Sequence, residues 1–225
     1  MRYLPINIDV KDKCCTVIGG GAVALRKVKY LLDAGARVKL VSPEVTAGFE
    51  DLISDGSVSL IKRKYQYGDI EGSFIAFIAA GSSSEQGEAI KEAGRLNVPV
   101  NVADEPSECT FTFPSILERG DLIITISTGG KCPALSRQLR IQLEQIIDNG
   151  YEGLLEILSE ARGKMLAAGV SSEIYTGLLE MLISSDILDD IRDGKLDAAK
   201  KFAMNVVSSA VSEKSFDTQR GHKVS

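Results

Sequence analysis

The sequence predicts an α/β fold, a parallel sheet wrapped by helices and followed by helices alone, on three observations. Near the N-terminus a short apolar strand runs through Gly19-x-Gly21-x-x-Ala24 into a helical pattern. Strand and helix signals then alternate through the first hundred residues, the pattern of a mainly parallel sheet covered on both faces. From Tyr151 onward only helical periodicity remains.

Residues 16–18 are the first strand, and the next helix carries Val23, Val28, Leu31 and Leu32 on one face until Gly35 caps it. Residues 37–41 give a second strand and 58–61 a third. The apolar run 74–80 suits a strand buried on both faces. Residues 83–96 read as a helix and 99–103 as the next strand. Two further strand-like runs follow, 109–113 and 121–128, with no full helix between them. A helix is then expected over 133–149, with Pro133 in its first turn and Gly150 closing its end. Its Leu135, Leu139, Leu143, Ile146 and Ile147 form an apolar stripe. Short amphipathic helices broken at Gly169, near Ser185 and at Gly194 complete the chain, with a polar, disordered tail from Ser212.

Composition narrows the function. The net charge of −5 argues against a nucleic-acid partner, which needs a basic footprint. No apolar run is long enough to span a bilayer, so no membrane role is expected. The N-terminus lacks an apolar core with a cleavage site, and the four cysteines form no C-x-x-C pair, which together suggest a cytoplasmic protein with free thiols. Cys109, Cys132 and His222 lack the spacing of a zinc site, and no metal is expected.

The glycine turn carries the chemistry. Gly19 permits the turn, Gly21 lets backbone amides approach a pyrophosphate, and Ala24 lets helix and strand pack closely. The phosphates would sit on the positive end of the helix. An NAD site usually has an acidic residue about 20 positions beyond the glycines; here the second strand ends in Ser42-Pro43-Glu44, with no basic cluster beside it to welcome a 2′-phosphate. NAD is therefore favoured over NADP. Loops after Ile18, Val41, Ala80 and Ala103 should share one rim, giving Gly19, Gly21, Ala22, Val23, Ser42, Pro43, Glu44 and Ala80 as candidate cofactor contacts. Two more segments draw notice. Asp104 ends a strand on that rim and reads either as a turn cap or as a functional carboxylate. Residues 127–133, Ser-Thr-Gly-Gly-Lys-Cys-Pro, read either as a structural turn or as an anion site.

Taken in order, Leu4-Pro5-Ile6, the glycine turn with Arg26-Lys27, Asn101-Val102-Ala103-Asp104, Phe113-Pro114-Ser115-Ile116 and residues 126–135 resemble the precorrin-2 dehydrogenases of sirohaem synthesis. The same domain forms the N-terminal part of multifunctional sirohaem synthases. The resemblance covers roughly residues 1–150 and implies an NAD-binding Rossmann domain (1–113), a small α+β dimerisation segment (114–149), a C-terminal helical domain (150–211) and the tail (212–225). It implies NAD-dependent oxidation of precorrin-2 to sirohydrochlorin, with Asp104 as the catalytic residue and a homodimer as the assembly. The stripe on the 133–149 helix fits a dimer interface, though an ordinary intrachain core is the commoner reading of such a stripe. Asn101, Thr128, Gly129, Gly130, Lys131 and Arg137 are the candidate substrate contacts, since a polycarboxylate needs amides and cations; Arg119 and Arg140 lie nearby in sequence. Some relatives carry a phosphorylatable serine where this chain has Thr128. The chain leaves no room for the methyltransferase domain of the fused enzymes, so precorrin-2 would come from a separate protein. Two alternatives stay open: a bifunctional dehydrogenase/ferrochelatase, and an NAD-sensing regulatory domain, which would need only the first 130 or so residues.

Overall fold

A computed structural model of the chain describes residues 3–80 and 83–221. They divide into two compact units, the first running to Phe113 and including Ser127–Cys132, the second comprising Pro114–Ile126 and the chain from Pro133 onward.

The first unit is a five-stranded parallel sheet. Its elements are β1 (Cys14–Ile18), α1 (Ala22–Asp33), β2 (Arg37–Val41), a 3₁₀ turn (Ala47–Phe49), α2 (Glu50–Ser54), β3 (Val58–Ile61), β4 (Ile75–Ile78), α3 (Ser83–Leu96) and β5 (Val100–Val102). The strand order is β3-β2-β1-β4-β5, with the crossover direction reversing between β1 and β4. One sheet face packs on α1 through Val17, Val28, Leu31, Leu40 and Phe77; the other packs on α3 through Ile18, Ile78, Ala89 and Ala93. All four residues of β4 are buried, as a strand covered on both faces requires. Helix α1 stops where expected. The amide of Gly35, at φ +75°, bonds the Leu32 carbonyl and that of Ala36 bonds Leu31, closing the last turn.

Four details differ from the sequence reading. The short helical stretch 47–54 carries too few residues to show a period. Val23 is 41% exposed, because the buried face of α1 is instead Ala24, Lys27, Val28 and Leu31. The burial of Lys27 was not expected. Residues 109–113 form no strand. Thr110 and Phe111 donate their amides to the single carbonyl of Val100, and the Thr110 hydroxyl accepts from the Val100 amide. Side chains thus replace a ladder, while Phe111 and Phe113 lie against Phe77.

The second unit contains the antiparallel hairpin β6 (Ser115–Arg119) and β7 (Leu122–Ile126), then α4 (Pro133–Ile146), α5 (Gly150–Ala167), α6 (Ser172–Ile183), α7 (Ile187–Arg192) and α8 (Leu196–Gly221). The expected strand pair is real, but its first member is 115–119. Leu154, Ile157, Ala161, Met165, Leu182, Ile187 and Ala203 form its core. Gly150 does not close α4; it opens α5, its amide bonded to the Asp148 carboxylate at 3.0 Å. The breaks at Gly169, Ser185 and Gly194 are present. Helix α8 continues past Ser212, into the expected disordered tail, with no Pro or Gly before Gly221 to stop it. Residues 222–225, and with them His222, lie outside the described residues. Among the described residues no helix is long and apolar enough to cross a membrane, and no cluster of metal-ligating side chains occurs.

Candidate functional site

The register of the sheet builds the site. Ile61, Val41, Ile18, Ile78 and Val102 lie side by side across β3, β2, β1, β4 and β5. Every strand therefore leaves the sheet at one level, and Lys62, Ser42, Gly19, Ala79 and Ala103 form a continuous rim. Ligands of open α/β sheets collect outside the carboxyl ends of the strands where the order reverses. Here that point is between β1 and β4, at Gly19.

The three glycines of the turn do different things. Gly19 has φ +109°, and an added Cβ would lie 2.2 Å from the Ala79 carbonyl oxygen, so only glycine fits. Gly20, which sequence reasoning passed over, is closed in from the other side: its Cβ would meet the Glu44 carbonyl at 2.1 Å. Its own carbonyl accepts from the Thr46 amide at 2.9 Å. Gly21 caps α1 in an extended conformation, and nothing lies within 4 Å of its missing Cβ. Ala24 is fully buried beneath it, while Ala22 begins the helix and Val23 faces outward. The turn is pinned where it meets the sheet and open where α1 presents its unpaired amides, which is what a pyrophosphate needs.

At the β2 corner, Ser42 is buried and donates its hydroxyl to the Glu44 carbonyl, so it shapes the turn. Pro43 and Glu44 are exposed. With Ser42, Val45, Leu60 and Lys62 they line a cavity of about 230 Å³. Lys62 was not singled out from sequence; it lies twenty residues from Ser42 and arrives only through the β2–β3 register.

On the β4–β5 side, Ala80 is buried and its carbonyl accepts from the Gln86 amide side chain. Asn101 donates its side-chain amide to the Phe111 carbonyl at 3.1 Å. The Cys109 thiol receives the Val102 amide at 3.2 Å. Two residues beyond β5 comes Asp104, exposed and held at φ +63°, a conformation that Asp tolerates better than most residues. Its carboxylate makes no hydrogen bond or ion pair among the described residues. It does not act as a cap here.

The glycine-rich loop is folded on itself. The Thr128 hydroxyl accepts from the Cys132 amide, the Lys131 amide bonds the Thr128 carbonyl, and Gly129 and Gly130 have φ +63° and +81°. Lys131 is exposed in the first unit and Arg137 exposed on α4 of the second. Lys27 is an unusual cation. It is 8% exposed, and its ammonium lies 3.7 Å from the Phe113 ring and 5.6 Å from that of Phe77. Burial pushes its pKa down to about 8 and neighbouring Arg26 adds to this, while Cys109 acts in the opposite sense. The Phe113 face also favours the charged form.

Residues 6–115 match the family described as "Putative NAD(P)-binding". The chain is 33% identical over 200 residues to the siroheme synthase of Vesicomyosocius okutanii subsp. Calyptogena okutanii, a match covering 89% of this chain and 43% of that protein. It is 33% identical over 215 residues to that of Nitrosomonas eutropha, covering 95% and 45% respectively. Over most of its own length the chain is thus similar to siroheme synthases. It spans less than half the length of these curated relatives. Among solved structures it is similar to SirC, a precorrin-2 dehydrogenase, with a TM-score of 0.73 at 23% identity, covering 90% of this chain and all of that one. At that identity the likeness shows the fold, a Rossmann-like sheet with a helical C-terminal region. The family description agrees with the built turn at Gly19–Ala24. The positions sequence reasoning missed, Gly20, Lys62 and Lys27, all depend on what the fold brings next to them.

Proposed function

We propose that this chain is an NAD-dependent dehydrogenase that oxidises precorrin-2 to sirohydrochlorin. The observation that carries the reading is Asp104, an exposed carboxylate without a structural partner, two residues past β5 on the rim that also bears the glycine turn. The residues at the turn fit a dinucleotide: the α1 amides and the open face of Gly21 receive the pyrophosphate, and Glu44 lies by the ribose. Bound NAD supplies a hydride acceptor. Asp104 accepts the proton that leaves the macrocycle as the hydride departs. The exposed cation Lys131, with the amides of Gly129 and Gly130, supplies carboxylate contacts of the kind this reading needs.

Two further parts belong to the same reading. The protein acts in the cytoplasm, in keeping with its four free cysteines. It works as a homodimer through α4, whose Leu135, Leu139 and Ile146 are 49%, 38% and 61% exposed instead of filling the core of their own unit.

Anaerobic incubation with precorrin-2 and NAD tests the reaction. NADH should accumulate with sirohydrochlorin in equal amounts. Binding of NAD with no turnover would favour the sensing-domain alternative. A second incubation adding ferrous ion separates a dehydrogenase from a bifunctional chelatase.

A further inference from the structure

The β2–β3 corner of the rim carries two opposite charges on one small cavity. Dinucleotide sites choose between NAD and NADP there: a carboxylate after the second strand holds the ribose diol, whereas a cation accommodates a 2′-phosphate. In this chain the first residue after β2 is Ser42, whose hydroxyl is committed to the Glu44 carbonyl and is buried. The cavity of about 230 Å³ has Pro43, Val45 and Leu60 as apolar lining, with Glu44 and Lys62 as its ionisable residues.

The position of Lys62 is fixed by backbone bonds on both sides. The Ile61 carbonyl accepts the Ser42 amide at 3.2 Å and the Arg63 amide at 2.9 Å, stitching the end of β3 against the 42–44 turn. That turn is held in place by the close fit of Gly20 against the Glu44 carbonyl and by the Thr46–Gly20 bond. The neighbouring cations are already occupied. Arg63 pairs with Asp69 at 2.7 Å, and Lys64 faces Glu85 at 4.0 Å. Among the described residues Lys62 makes no hydrogen bond or ion pair, and it is exposed.

We propose that Lys62 is the counterion for a 2′-phosphate, so that this site accepts NADP as well as NAD. The inference rests on the dinucleotide reading of the Gly19–Ala24 turn and extends it to the choice of cofactor. Glu44 favours the free ribose diol and opposes the phosphate, so the two residues set the selectivity by their balance. A phosphate at this corner would make a charge-assisted contact to the Lys62 ammonium, screened by salt as an exposed pair is.

The test measures the affinities of NADH and NADPH by nicotinamide fluorescence for the intact chain and for Lys62→Glu and Lys62→Arg. The intact chain should bind both, within about tenfold of each other. Lys62→Glu should weaken NADPH by about tenfold or more, with NADH changed by less than about threefold and an unaltered melting temperature. Lys62→Arg should keep NADPH binding. Raising the salt concentration should weaken NADPH more than NADH. Exclusion of NADPH by a chain that binds NADH, or equal weakening of both cofactors in Lys62→Glu, would overturn the inference alone. Failure of the intact chain to bind either cofactor would overturn the dinucleotide reading, and this inference with it.

Discussion

An added Cβ at Gly20 would lie 2.1 Å from the Glu44 carbonyl, whereas one at Gly21 would meet nothing within 4 Å. The two neighbours should therefore respond oppositely to substitution. Gly20→Ala forces the new Cβ against the Glu44 backbone and should cost about 1–3 kcal/mol, seen as a lower melting temperature. Gly21→Asp meets no such obstacle; φ of −83° suits any residue, and Asp is a preferred N-cap. Its melting temperature should stay the same or rise, while its charge meets the pyrophosphate and weakens NAD at least tenfold, about 1.4 kcal/mol. Thermal unfolding and cofactor titration of both variants check the contrast. If Gly21→Asp kept full affinity, the phosphates would lie elsewhere. From sequence, Gly19 and Gly21 are legible through the spacing of the motif. Gly20 is not, since its constraint comes from residues 42–46, which only the folded β1–β2 pair brings against it.

At the scale of elements, α1 carries a buried amine between the rings of Phe113 and Phe77. Since folding lowers the Lys27 pKa to about 8, the folded chain releases a proton above that pH which the unfolded chain still holds. The cost of burying the charge is at its full value below pH 8. It diminishes as pH rises toward the ordinary lysine range, so this residue's contribution to stability increases with pH there. Lys27→Met removes the titration. The stability difference between the Lys27→Met variant and the parent chain should shrink by about 1–3 kcal/mol between pH 7.5 and pH 10. Urea unfolding at the two pH values measures it, and a constant difference would show that Lys27 keeps its charge in the fold. The helical period of α1 was plain in the sequence, but period counting treats lysine as a surface residue. Strands β1 to β4 were legible because their apolar runs are short and bounded by turns. Residues 109–113 were misread as a strand because Phe111 and Phe113 alternate in the same way, whether a segment pairs in a ladder or only lays its rings on a core. The hairpin that does form, 115–119 with 122–126, was displaced by that misreading for its first strand.

For the whole molecule, the exposed stripe of α4 supports the proposed dimer. A face with Leu135, Leu139 and Ile146 open to solvent suits a partner surface better than a core. Leu139→Glu should give a monomer in sedimentation at micromolar concentration, with the helical content of the parent. A parent chain that is itself monomeric and fully active would contradict the dimer. The catalytic claim rests on Asp104, whose backbone at φ +63° makes Asn the appropriate replacement, because Asn shares its tolerance for that conformation and removes only the charge. The most direct measurement is NADH formation from precorrin-2 under anaerobic conditions by the parent chain and by Asp104→Asn, with NAD affinity and melting temperature determined on the same samples. The parent should turn over, and Asp104→Asn should lose about 10²–10⁴-fold in rate with affinity and melting temperature unchanged. An Asp104→Asn chain that oxidises precorrin-2 at the parent rate would contradict the assignment.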